Sequence, residues 1–175
     1  MFRIVITGAE STGKTSLTKE LARYFQAPYS NEFVREFVET IKRPIIESDL
    51  EVIFEGQLKA ERLACSNNPP YVFHDTNLLS NYIYAWHYFL KVPKDLESEI
   101  LKQNYTHYLL CGTDIPWVPD SMQRESQEVR DTLQQDFIYA LREKNIEPTM
   151  ILGTKKERLE IAIQAVQKII SADPS

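Results

Sequence analysis

Residues 8 to 15 read Gly-Ala-Glu-Ser-Thr-Gly-Lys-Thr and follow directly on the apolar run Phe2-Arg3-Ile4-Val5-Ile6-Thr7. The spacing is G-x-x-x-x-G-K-[ST], in which main-chain N–H groups wrap phosphate oxygens, the lysine reaches the β and γ phosphates and the last hydroxyl ligates Mg²⁺. A β-branched stretch before the loop predicts a buried strand. After it, Leu17, Leu21 and Phe25 recur at four-residue spacing, so an amphipathic helix points its positive end at the bound anion. Glycine is scarce here, five in all, and two of them sit in this loop. The motif assigns nucleotide contacts to Gly8, Ala9, Glu10, Ser11, Thr12, Gly13, Lys14, Thr15 and Ser16. The bland alternative is a glycine-containing turn between strand and helix with no ligand.

A chain of 175 residues is about one domain, and we expect residues 1–175 to form a single one that needs no disulfide or metal to hold its core. A net charge of −5 supplies no basic footprint for a nucleic-acid backbone. Cys65 and Cys111 lack metal-ligand spacing and read as reduced thiols, which fits a cytoplasmic protein. No apolar run approaches the length of a membrane span, and no leader pattern opens the chain. Oligomeric state is left open, a homo-oligomer included.

Alternating strand and helix signals fill the rest. Strands are expected at 28–30, 71–75, 106–111 and 149–152, and helices at 31–39, 50–66, 78–89, 96–103, around Val129, Leu133, Phe137, Ala140 and Leu141, which fall in phase, and from Thr154 onward. Ser48-x-x-Glu51 and Thr154-x-x-Glu157 have the form of capping boxes. In the helix from Leu78, the residues Leu79, Tyr82, Ile83 and Trp86 share one side; in the last helix, Leu159, Ile163, Val166 and Ile170 do. The Pro-punctuated stretch from 112 to 125 is long enough to be a functional loop. This alternation predicts an α/β fold with a parallel sheet covered on both faces.

Several residues suit phosphoryl transfer, which needs a metal, an oriented nucleophile and added positive charge. Asp75 closes a strand where parallel sheets present groups to ligands, so it can hold a Mg²⁺ water or orient a substrate hydroxyl; alternatively it caps the next helix together with Thr76. Arg124 and Arg130 flank a helix start after the long loop and can reach a γ-phosphate, or pair with Glu125, Glu128 or Asp131. Glu32 and Arg35, one turn apart beyond the second strand, border an acceptor site or form a surface ion pair. Gln57 either binds substrate or packs. Tyr82, Trp86 and Trp117 either stack a planar ring or fill the core, and His74, His87 and His107 read as structural.

Taken together, G-A-E-S-T-G-K-T at 8–15, N-E-F-V-R-E-F-V at 31–38, E-G-Q at 55–57, F-H-D-T-N at 73–77, D-I-P-W-V-P-D at 114–120 and I-L-G-T-K-K-E-R-L at 151–159 resemble P-loop kinase domains of the NadR type. That resemblance implies a P-loop NTPase fold of the nucleoside- and nucleotide-kinase kind, three layers around five parallel strands ordered 2-3-1-4-5. It also implies ATP and Mg²⁺ as cofactors and phosphorylation of the ribose 5′-hydroxyl of nicotinamide riboside, a small-molecule substrate. Carried over, Lys14, Thr15 and Asp75 match the phosphate and metal site, and Arg124 and Arg130 the lid arginines. Asn77 stands where a second acid is common. The loop from Gly153 to Arg158 falls where such kinases place adenine. Two rivals stay open: a kinase of the same build with another nucleoside or nucleotide acceptor, and an ATP-binding switch without catalysis. The N-K-x-D signature of guanine switches is missing.

Overall fold

The computed structural model describes residues 1–116 and 126–172. Its sheet consists of β1 (Phe2–Thr7), β2 (Tyr29–Ser30), β3 (Tyr71–Asp75), β4 (His107–Cys111) and β5 (Thr149–Ile151). Every pairing is parallel and the order is β2-β3-β1-β4-β5, as the resemblance implies. The connections run through α1 (Lys14–Tyr24), α2 (Phe33–Ile41), α3 (Leu50–Ala64), α4 (Leu78–Phe89), α5 (Leu96–Lys102), α6 (Gln127–Glu143) and α7 (Lys155–Ala172). The strand order reverses at β1, whose neighbours are β3 on one side and β4 on the other. Open α/β sheets bind ligands in the crevice beyond the carboxyl ends of the strands at such a point. Ile6 lies opposite Asp75, so the loop after Thr7 and the acid closing β3 emerge side by side.

Alternation along β1 divides the core. Ile4 and Ile6 face Leu17 and Leu21 of α1 and Ala162 and Val166 of α7, while Val5 faces Leu79 and Ile83 of α4 and Leu133, Phe137 and Leu141 of α6. Each large apolar side chain removed from water contributes about 1.5–3 kcal/mol, and both faces are covered because β1 and β4 are apolar on both. A smaller cluster of Phe54, Leu58, Leu78 and Leu96 joins α3, α4 and α5.

Several local expectations are corrected. The box predicted at Ser48 and Glu51 does not form; a 3₁₀ turn, Glu47–Asp49, precedes α3, and the Asp49 carboxylate instead accepts the Ile46 N–H at 2.9 Å and two bonds from Arg43. A guanidinium fork is a stronger partner for that end of the helix than a serine hydroxyl. At α7, by contrast, Glu157 accepts from both the amide and the hydroxyl of Thr154, each at 2.7 Å, as the pattern predicts. The buried seam of α7 is Arg158, Ala162 and Val166, with Leu159, Ile163 and Ile170 only partly buried beside it. Trp86 is 53% exposed and packs in neither core nor cleft. Both cysteines are free thiols, and among the described residues no helix is long and apolar enough to cross a membrane.

Candidate active site

The loop between β1 and α1 lies against the carboxyl end of β4. A side chain at Gly8 would put its Cβ 2.6 Å from the Cys111 carbonyl, and the backbone there has φ +128°, so only glycine lets the loop lie so close. Behind the loop stand three polar side chains from α6 and α7. Gln134 of α6 accepts the Ala9 N–H at 3.0 Å and donates to the Cys111 carbonyl at 3.1 Å. Arg130, 1% exposed, donates to the carbonyls of Ser11 at 3.3 Å and Ile115 at 3.1 Å. Arg158 donates to the carbonyls of Thr12 at 2.9 Å, Gly112 at 3.1 Å and Gly153 at 2.8 Å, and it pairs with Asp114.

This bracing sets the direction of the loop amides. In a trans peptide the C=O and the following N–H point opposite ways. Pulling the Ser11 and Thr12 carbonyls toward the two arginines therefore turns the amides of Thr12 and Gly13 the other way, into the concavity. At the helix start, the amides of Lys14, Thr15 and Ser16 belong to the first turn and have no carbonyl four residues back. Lys14 is buried, and its ammonium donates to the Ala9 carbonyl at 2.7 Å, which the Thr12 hydroxyl also meets at 2.7 Å. The shape of the loop is thus set by groups on its outer side.

Across from it lies Asp75, 1% exposed, with neither carboxylate oxygen hydrogen-bonded. Burial, reinforced by the charge of Glu32, pushes its carboxyl up to about 6; the Thr15 hydroxyl, which approaches the carboxylate without a well-formed hydrogen bond, pulls the other way with Lys14 and Arg35. Asp75 does not cap α4. That place belongs to Asn77, whose Oδ1 accepts the Ser80 N–H at 3.4 Å and whose amide donates to the Tyr108 hydroxyl at 2.9 Å. Glu32 precedes α2 and accepts from Arg35 at 2.7 Å, so the pair exists and also sits within electrostatic reach of Asp75. Glu10, 4% exposed, takes the Tyr84 hydroxyl on Oε2 at 3.2 Å while Oε1 has no partner.

Lys14, Thr15, Asp75, Glu32 and Arg35 are thereby brought together. Ser16 lies exposed on the first turn of α1. Two residues expected at the substrate are engaged within the fold: Asn77 as the cap just described, and Gln57, fully buried, which accepts the Phe33 N–H at 3.0 Å and donates to Glu61 at 3.4 Å. Arg130 braces the loop from behind and keeps only Nε without an acceptor. Arg124 and Trp117 lie outside the described residues. Gly153 donates its N–H to Asp114 at 2.6 Å beside an open hollow lined by Leu152, Glu157, Glu160, Ile161 and Gln164. Gln134 and Arg158 were not singled out as site residues from the sequence. The available signal is a long polar side chain on a buried helical seam, at the end nearest the strand carboxyl termini.

A family profile described as an AAA domain matches residues 3–158. The chain belongs to that family. It is similar to the Trifunctional NAD biosynthesis/regulator protein NadR of Salmonella typhimurium, with 24% identity over 149 residues that cover 82% of this chain and 36% of that protein. The fold also matches crystal structures of NadR protein in complex with NR, at a TM-score of 0.78 and 23% identity, and in complex with NAD and AMP-PNP, at 0.78 and 25%. Both matches cover 99% of this chain and about half of theirs, 52% and 51%. The NadR-type likeness read from the motifs therefore extends over the P-loop domain as a whole, and the chain spans about a third of the curated relative's length.

Proposed function

We propose that this chain is an ATP-dependent kinase for the hydroxyl of a small ribosyl acceptor, with nicotinamide riboside, converted to its mononucleotide, as the substrate. The observation that carries the reading is Asp75: a buried carboxylate with both oxygens unpartnered, between the phosphate loop and the Glu32–Arg35 pair. A buried acid without hydrogen bonds is costly, and it is relieved once a ligand supplies the missing partners. NadR protein has been crystallised with NR and with NAD and AMP-PNP, which supports both the acceptor and the donor.

The residues fit Mg²⁺. Thr15 and Asp75 offer hard oxygen donors, and among the described residues no group of three or more His, Cys, Asp or Glu forms a closed metal cage. Mg²⁺ is commonly held this way, by one or two protein oxygens with phosphate and water completing the shell, and it would neutralise charge on the β and γ phosphates. Lys14 exchanges the Ala9 carbonyl for phosphate oxygens. The acceptor oxygen bonds to the γ-phosphorus as the bond to the β–γ bridging oxygen breaks, ADP leaves, and a carboxylate of the Asp75–Glu32 pair takes the hydroxyl proton. Arg124 completes the positive surround of the γ-phosphate in this reading, while Arg130 acts from behind the loop by holding the Ser11 carbonyl. The test is ADP release with nicotinamide riboside and a panel of nucleosides and nucleotides. Turnover is expected with nicotinamide riboside; turnover with a nucleoside alone rejects that acceptor, and none with any acceptor rejects the kinase.

A further inference from the structure

A second buried polar network lies below the acceptor side, and its residues have no part in the chemistry above. Arg3 of β1 is its hub. Its Nε donates to His74 Nε2 at 3.3 Å, Nη1 to Gln103 at 3.1 Å and Nη2 to Glu61 at 2.9 Å, and the guanidinium lies 4.5 Å from the centre of the Tyr105 ring. Glu61, its side chain 1% exposed, also accepts the Tyr105 hydroxyl at 2.7 Å and the Gln57 amide at 3.4 Å.

The donors on Glu61 fix what the next residues must do. Gln57 has to present its NH₂ to that carboxylate, which turns Oε1 away, and there it takes the Phe33 N–H at 3.0 Å. Arg3 already occupies His74 Nε2, so the ring proton sits on Nδ1 and is donated to the Ser30 hydroxyl at 2.8 Å. One arm ends on Ser30 and the other on Phe33. Glu32 lies between them.

Packing alone does not set this segment. No residue of α2 is fully buried, although the Phe33 ring lies where a side chain at Gly56 would stand, 2.2 Å from that Cβ. Buried ion pairs are often no more stabilising than apolar replacements of the same size, so their contribution lies in what they specify. We propose that Arg3, Glu61, Gln57 and His74 are positioning residues that set the acceptor-side carboxylate Glu32 through its neighbours Ser30 and Phe33. This rests on the reading that Glu32 borders the acceptor.

Two measurements on the full chain separate the proposal from that reading. Amide hydrogen exchange reads the network directly: Gln57→Met is expected to speed exchange at Phe33 about tenfold or more while amides of β1 and β4 stay protected, and unchanged Phe33 exchange overturns the proposal. Steady-state kinetics with the acceptor the wild type uses reads its consequence. Gln57→Met is expected to raise the acceptor KM about tenfold with the ATP KM within about twofold, and to add nothing in a Glu32→Gln background. Equal effects on both KM values, or full additivity with Glu32→Gln, overturn it. Ser30→Ala removes one arm with the least disturbance; the same pattern at smaller size is expected, and no change in acceptor KM in either variant rejects the assignment. If the wild type turns over no acceptor, the functional reading fails while the exchange result still decides the network.

Discussion

The two walls of the cleft are built on opposite principles. On the phosphate side Gln134, Arg130 and Arg158 tie back the carbonyls and one amide of the loop, so its shape is fixed before any ligand arrives. On the proposed acceptor side Asp75 has no hydrogen bond on either oxygen. One wall is satisfied internally and the other is left to be satisfied from outside. Preorganised donors suit a polyphosphate whose charge is the same in every cycle, whereas an unpaired buried acid suits a partner that comes and goes.

The largest effect expected from this contrast is on turnover. Asp75→Asn is expected to lower phosphoryl transfer at least about a hundredfold while ATP affinity changes by no more than a few-fold, measured by ADP release and by titration. A fall of less than about tenfold would show that the unpaired wall has no part in the chemistry. Next comes the braced wall. Arg158→Met is expected to weaken ATP binding about tenfold or more, and Arg158→Lys to recover only part, because an ammonium cannot reach three carbonyls and Asp114 at once. Equal ATP affinity in all three proteins would remove the bracing from the account.

Stability should run the other way at Asp75. Its folded carboxyl is raised to about 6 from 3.8, so between those values the native state binds more protons than the unfolded chain, and stability falls as pH rises through that window. Glu61, raised by burial to about 7, slopes in the same direction. Asp75→Asn is expected to remove its share of the slope and to stabilise the ligand-free protein at pH 7 by on the order of 1–3 kcal/mol, read from denaturant melts at pH 4 and pH 7. Identical pH slopes in variant and wild type would contradict the burial argument. Smallest is Asn77→Ala, expected to reduce stability by about 1 kcal/mol through the lost cap, with acceptor KM unchanged in steady-state assays.

What could be read beforehand follows from how local each signal is. The phosphate loop, the five strands and the stripe of α1 are written in short-range spacing, and the sheet order followed from the family that the motifs together resemble. The bracing was harder to see. Gln134 lies 23 residues from the Cys111 carbonyl it holds, and Arg158 lies 46 and 146 residues from those of Gly112 and Thr12, so a polar residue on a buried seam can be noticed in the sequence but its partners cannot. The same distance hid Gln57: its amide is fixed by Glu61 and Phe33, neither of which its own helix pattern reveals. Asp75 was legible as an acid at a strand end, but that its oxygens stay unpaired depends on Asn77 taking the cap, which only the assembled turn decides.

Calorimetric titration of Mg²⁺ and a non-hydrolysable ATP analogue into the protein tests the account where everything else depends on it. A saturable heat at one site per chain, lost in Lys14→Ala, is the predicted result; no heat with any nucleoside triphosphate would contradict it.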